Sequence, residues 1–288
     1  MAVPAPDPSP AEAMSTVVDG VTVLGALSPS RASDFMACPL LYRFRTIDRL
    51  PDQPSADAVR GTLVHKVLED LFDLPAHERT TPQAQEMVEP TWQTMLEDTP
   101  EIAELFSDGT LAFDPWLQSC RDVLDRYFTL EDPTRLEPAE RELYVETVLE
   151  SKLLLRGFVD RLDINPDGLV RVVDYKTGRS PGPGFEAKAL FQMKFYALVI
   201  WRTREVIPAM LQLVYLGNGE LLRYVPDEAD LLATERKVVA VWEAIRRAED
   251  TADWRPSPGP MCQWCSHRDL CPAYGGTPPP LPARDVPS

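Results

Sequence analysis

Apolar residues recur in two periods along this chain, one suited to a pleated strand and one to a helix. Leu153 to Ile164 is an extended, strongly apolar run, and Leu169 to Thr177 is a second that ends in polar residues. Asn165-Pro-Asp-Gly168 between them carries a turn signal, so the two runs predict neighbouring strands of a hairpin. Glu142 to Glu150 predicts the start of this strand series. Met210 to Leu216 and Leu221 to Val225, joined by Gly217-Asn-Gly219, predict a second hairpin. Gly61 to Asp73 follows the helical period instead, with Leu63/Val64, Val67/Leu68 and Leu71/Phe72 forming one buried stripe. Ser28-Pro29-Ser30 combines a serine cap with proline in the first turn, predicting a helix that stops near Cys38-Pro39. Lys188 to Arg202 and Asp227 to Asp250 complete the long helices.

Between these elements, residues 80–131 predict further helices broken at Pro100 and Pro115, an insertion within one domain over 21–273. Residues 1–20 and 276–288 are rich in Pro and Ala and are expected to be disordered. Ser180 to Gly184 is expected to be a flexible loop. The segment Leu40 to Leu50 interleaves Arg43, Arg45 and Arg49 with Tyr42 and Phe44. Such a patch can contact phosphates and bases; the alternative is an amphipathic segment with exposed arginines.

Charge narrows the functional classes. A formal net charge of −16 over 288 residues excludes broad electrostatic wrapping of nucleic acid, though not a local basic groove. No run reaches the length of a transmembrane helix, and the N-terminus lacks the basic and apolar stretches of a signal peptide. A cytoplasmic protein without a membrane partner is the expectation.

The chemistry gathers on the first hairpin. Strand side chains alternate, so Asp174 and Lys176 share a face while Tyr175 points to the other. Pairing about residues 165–168 brings Asp160, in the run Gly157-Phe-Val-Asp160, opposite or one step from Asp174. Two carboxylates at the end of apolar strands repel one another and are costly to desolvate unless a cation joins them. Hard oxygen ligands of this kind suit Mg²⁺ or Mn²⁺. Asp174-x-Lys176 alone is an ordinary strand-end ion pair; Asp160 is what turns it into a candidate site. His65, at the edge of its helical stripe, reads by itself as a satisfied core histidine. Gln192 and Tyr196 lie one turn apart on an otherwise apolar helix, facing either substrate or a half-exposed edge.

The cysteines form a second group. Cys262-x₂-Cys265-x₅-Cys271 follows a Pro-rich linker, and three thiolates so close need a fourth ligand, Cys38 or His267. Their spacing leaves a [4Fe–4S] cluster and a Zn²⁺ site equally open. Cys120 sits on an apolar stripe with Trp116, Leu124 and Tyr127, as a core thiol would.

In order, Gly61-Thr-Leu-Val-His65, Asp160, Asp174-Tyr-Lys176-Thr-Gly178 and Gln192-x₃-Tyr196 resemble the RecB-like branch of the PD-(D/E)XK nucleases. The resemblance spans roughly residues 28–273. It implies an α/β fold, a restriction-endonuclease-like core in which helices flank a mixed central sheet, carrying a helical insertion and a C-terminal iron–sulfur segment. Cys38 with Cys262, Cys265 and Cys271 is similar to the four-cysteine iron–sulfur staple of AddB-type and CRISPR-associated members. By that likeness His65 is a metal ligand beside Asp160, Asp174 and the Tyr175 carbonyl, Lys176 is catalytic, and Gln192 and Tyr196 position substrate. It also favours [4Fe–4S] over zinc, and Cys38 over His267. The implied activity is metal-dependent hydrolysis of DNA, with single-stranded or frayed ends as substrate. A P-loop signature is absent, so any helicase acts in trans. The competing reading is a non-catalytic DNA-binding or scaffolding partner of a helicase.

Overall fold

The computed structural model describes residues 17–18, 20–182 and 186–282. Most of the predicted N-terminal tail and residues 283–288 of the C-terminal one lie outside them, as do 183 and 184 of the predicted loop. Residues 276–282 run without regular structure, and Arg43 donates to the Pro279 carbonyl.

Strands β1 (Val17–Val18) and β2 (Val21–Thr22) form a small hairpin. β3 (Gly25–Leu27) leads into helix α1 (Pro29–Ala37), where the Ser28 hydroxyl accepts the Arg31 amide at 3.3 Å and Pro29 occupies the first turn. A short α2 (Pro39–Tyr42) continues as a π-helical turn, Arg43–Ile47. Helices α3 (Ala56–Leu71), α4 (Thr81–Asp98) and α5 (Phe113–Leu130) follow. Then come β4 (Glu140–Val148), β5 (Leu153–Ile164) and β6 (Val170–Lys176). Helix α6 (Glu186–Arg204), β7 (Met210–Tyr215), β8 (Glu220–Tyr224) and α7 (Glu228–Thr251) complete the main elements.

One detail differs from the sequence expectation. Pro115 does not break a helix, because α5 begins at Phe113 and the missing amide falls in the first turn, where no intrahelical partner is lost. Helix α4 runs through Pro90 and ends at Asp98, before the expected break at Pro100.

β3 to β8 form a six-stranded mixed sheet in which β3 and β6 pair parallel with β5 and β7 respectively, and the other ladders are antiparallel. Alternation sends Val170 and Val172 into a core beneath α1, α6 and α7, and Val173 and Tyr175 into a second core beneath α3, α4 and α5. The sheet is therefore covered by helices on both faces, as expected.

The central strand β5 is forked. Leu154 and Leu155 pair with both β3 and β4, and Arg161 and Leu162 with both β4 and β6. So β4 takes one edge of β5, while β3 and β6 share the other. On that shared edge β3 ends at Leu155 and β6 begins at Arg161, leaving residues 156–160 between them. Gly157 lies in this interval because a Cβ there would come within 2.8 Å of the Tyr196 ring. Asp160 stands where the strands part.

Candidate active site

The hairpin turn fixes the register that makes the site. Asn165 Oδ1 accepts the amides of Asp167 at 3.0 Å and Leu169 at 2.7 Å, and Gly168 takes the left-handed φ of 80° that the turn needs. Arg161 then pairs with Val173, which sets Asp160 opposite Asp174. Instead of a backbone carbonyl, Asp160 Oδ2 accepts the Tyr175 amide at 2.7 Å.

Helix α3 brings His65 onto this junction. Its Nε2 meets the Tyr175 carbonyl at 2.9 Å, and its Nδ1 faces Asp160 Oδ2 at 3.5 Å. With Nε2–H donating to the carbonyl, Nδ1 keeps its lone pair, so two acceptors face each other across a gap too long for a hydrogen bond. A cation or a proton relieves that opposition. Glu142 of β4, at a left-handed φ of 43°, turns a third donor into the same space. Ligand atoms of His65, Glu142 and Asp160 all lie within 4.8 Å of one another. The donor set, one imidazole and two carboxylates, fits a small divalent cation.

Electrostatics support that fit. Burial, then the negative charges of Asp160 and Glu69, push the Glu142 carboxyl up to about 7 against the pull of His65 and Lys66. Asp174 is pushed up to about 6 by burial and by Asp160, with Lys176 opposing. Lys176 salt-bridges Asp174 at 2.6 Å, and although burial disfavours its charge, Asp174 and Asp160 hold its pKa above the ordinary value. Several carboxylates crowd here, with Lys176 against Asp174 and Lys66 against Glu69 to offset them.

Gln192 and Tyr196, expected to face substrate, lie beside the Asp174–Lys176 pair. Gln192 Nε2 donates to Asp174 Oδ1 at 2.9 Å and to the Tyr196 hydroxyl at 3.3 Å, while its Oε1 accepts from Lys176 Nζ at 3.0 Å. Tyr196 is buried. Gln192 thus holds Asp174 and Lys176 directly, and Tyr196 holds Gln192. Among the sequence candidates, then, the fold joins His65 to Asp160, and Asp174 and Lys176 to Gln192. Glu142 was missed, since nothing in Glu140-Arg-Glu142 marks it out; only its placement across β4 from Asp160 does.

Behind the site lies a closed charge network. Arg161, 1% exposed, donates to both Glu131 oxygens at 2.7 and 2.9 Å and to the Tyr175 hydroxyl, and it pairs with Asp163 at 3.0 Å. Arg171 closes on Asp163 at 2.7 Å, and Gln212 donates to Glu131 at 2.9 Å.

The basic-aromatic patch proves structural. Tyr42 is buried and stacks on Trp254 at 6.0 Å, and Phe44 is buried against the His267 ring at 5.4 Å. Arg43 pairs with Asp48 at 3.0 Å, and Arg45 with Asp34 and Asp52 at 2.9 Å each. Tyr42 at the end of α2 and Phe44 in the π-helical turn both point inward, packing this segment against the C-terminal one, so the rings do not offer a nucleic-acid surface. Cys120 is buried as expected, and burial raises its thiol to about 11.

Cys38, Cys262, Cys265 and Cys271 are free thiols of intermediate exposure. The Ser257 amide donates to Cys38 Sγ at 3.4 Å, and the Gly259 amide to Cys262 Sγ at 3.3 Å. Cys265 lies within the electrostatic reach of both Cys262 and Cys38. Among the described residues, no three of these thiols come within 4.8 Å of one another. His267 is buried and turns its Nε2 to Asp52 at 3.1 Å.

A sheet whose central hairpin presents Asp and Asp-x-Lys beside a helical histidine defines a metal-dependent phosphodiesterase class. The model of the PD-(D/E)XK nuclease superfamily matches residues 26–272, and the chain belongs to that superfamily. It is similar to the Gene 69 proteins of two Mycobacterium phages. One, of phage D29, is 26% identical over 86% of this chain and 96% of that protein. The other, of phage L5, is 23% identical over 90% of this chain and 100% of its own length. The fold is also similar to the crystal structure of a "Putative exonuclease" from Eubacterium rectale, with a TM-score of 0.58 at 14% identity, covering 89% of this chain and 91% of that one. No described helix is long and apolar enough to cross a membrane.

Proposed function

We propose that this chain is a RecB-like, Mg²⁺- or Mn²⁺-dependent deoxyribonuclease, acting as an exonuclease on single-stranded or frayed DNA ends. The observation that carries the reading is the convergence of His65, Glu142 and Asp160 donor atoms within 4.8 Å, beside the Asp174–Lys176 pair. His65, Glu142 and Asp160 would hold the ion, with Asp174 and the Tyr175 carbonyl at hand. When bound, the ion supplies Lewis-acid polarisation of the phosphodiester and an acidified water. Asp160 fixes the β5–β6 junction through the Tyr175 amide, so the donor set keeps its shape. Lys176, charged and held by Gln192, orients the attacking water and offsets charge developing on the phosphate. The role belongs to DNA repair, recombination or foreign-DNA processing, with any helicase supplied in trans.

The cysteines fit a [4Fe–4S] staple. Cys262, Cys265 and Cys271 follow one another closely in the sequence, and Cys265 lies within the electrostatic reach of Cys38, which supports a site shared by the four. The family resemblance favours Cys38 over His267 as fourth ligand, and the His267 Nε2 faces Asp52 at 3.1 Å, in keeping with that choice. The staple would join the N-terminal helix to the C-terminal segment, a long loop closure of the kind that gains most from a cross-link.

Anaerobic purification followed by a Mn²⁺-dependent cleavage assay on end-labelled single strands tests the proposal. The wild type should cleave, and Lys176→Ala should lose about 100- to 1,000-fold while keeping its circular dichroism. Full activity in that variant sinks the catalytic assignment. A scaffolding protein would show binding without cleavage. Zinc in place of iron by elemental analysis would overturn the cluster.

A further inference from the structure

The Tyr144 and Phe158 rings stand in open solvent, 45% and 41% exposed, on the strands that carry Glu142 and Asp160. They are register partners across β4 and β5, with ring centroids 5.3 Å apart and planes tilted by 56°. Each sits two residues along its strand from a member of the metal-ligand group, the spacing that keeps side chains on one side of a pleat. Their neighbours Val145 and Val159 are buried in the core on the opposite face. The pair therefore contributes nothing to that core.

We propose that Tyr144 and Phe158 form a shelf on which unpaired bases of a DNA strand stack as its backbone crosses the metal site. This rests on the nuclease reading and adds to it the residues that select an unpaired strand. Continuity chooses the occupant: the shelf begins one pleat step from Glu142 and Asp160, so a strand placed for cleavage must pass over it or away from it. Charge agrees. The next register pair outward is Arg156 with Glu146, and the Tyr144 hydroxyl donates to Glu146 at 2.6 Å. Arg156 thus offsets Glu146 and the rim is close to neutral. On a chain of net charge −16, the strand is gripped through base faces more than through phosphates. Aromatic stacking serves that purpose and tolerates any sequence, since every base has a π-face. Duplex bases hide those faces, so the shelf rejects paired DNA.

Fluorescence anisotropy with a labelled oligothymidylate, in a Lys176→Ala background that leaves the strand intact, reads the shelf directly. Phe158→Thr should weaken binding about tenfold, and the Tyr144→Thr/Phe158→Thr double variant towards about 100-fold. Threonine keeps strand propensity, and thermal melts verify folding. Phe158→Trp should restore affinity. The fluorescence of an oligonucleotide carrying 2-aminopurine should be quenched by the parent protein and by the Phe158→Trp variant, and not by the double variant. Unchanged affinity and unchanged quenching in a folded double variant would overturn the shelf, as would equal affinity of the parent protein for blunt duplex. Cleavage by the wild type is scored separately, so a failed nuclease reading and a failed shelf give different results.

Discussion

Asp160 and Arg161 are adjacent on β5, yet they belong to opposite kinds of charge cluster. Arg161 sits with Glu131, Asp163 and Arg171 in a network where cations and carboxylates meet pairwise at salt-bridge distance. Burial alone would raise Glu131, but the hydrogen bonds and charge of Arg161 prevail and leave its pKa below the ordinary value. Asp160 sits with Glu142 and Asp174, and Lys176 is the cation that binds there. Burial raises Glu142 to about 7 and Asp174 to about 6, and neighbouring carboxylates push both the same way. Both clusters draw on β5 and β6. What separates them is whether the protein supplies its own counter-charge. The first cluster is complete as folded; the second is complete only with a cation from outside.

Breaking the closed cluster should give the largest change in stability. Arg161→Leu strands Glu131 in the interior and should cost about 3–5 kcal/mol, read as a lowered denaturant midpoint. A loss below about 1 kcal/mol would show that the network is not closed as described. The open cluster should respond in the opposite sense. Glu142→Gln removes a carboxylate that the fold disfavours, so the metal-free protein should melt higher at pH 8 and converge on the wild type below pH 4.5, with Mn²⁺ affinity reduced in titration calorimetry.

A smaller, graded effect tracks pH in the wild type. The folded pKa of Glu142, about 7, lies above its ordinary 4.5, so the folded state holds a proton that the unfolded chain has lost between those values. Stability of the metal-free protein should therefore fall as pH rises from about 4.5 to about 7 and level off above. Asp174 acts in the same direction between 3.8 and about 6. Saturating Mn²⁺ binds the ionised forms and should flatten or reverse the slope. Melting curves across pH, with and without Mn²⁺, check this; a metal-free slope of opposite sign would contradict the open cluster.

The hairpin was legible because one face is apolar and the turn is strongly marked, so Asp160 could be set opposite or one step from Asp174 from the sequence alone, and the structure fixes the register. His65 was legible only through its motif, since a histidine beside an apolar stripe has no distinguishing pattern. Glu142 was hidden because its role depends on a cross-strand pairing that sequence spacing does not display. Alternation does hold the clue: buried Val145 and packed Leu143 put Glu142 and Tyr144 on the other face. The basic-aromatic patch misled for a related reason. A π-helical turn changes which side chains point inward, and nothing in Leu40 to Leu50 announces one.

The fork in β5 makes one amide unlike its neighbours. Along β6 the pairing with β5 is made backbone to backbone up to Val173, but the Tyr175 N–H is held by the Asp160 carboxylate. Its solvent exchange is thereby tied to the charge and position of one side chain. Anything that protonates Asp160 or draws it away loosens that hydrogen, and anything that fixes it slows its loss. The fold thus carries a native isotopic reporter of its own metal site, legible by hydrogen exchange at a single peptide bond.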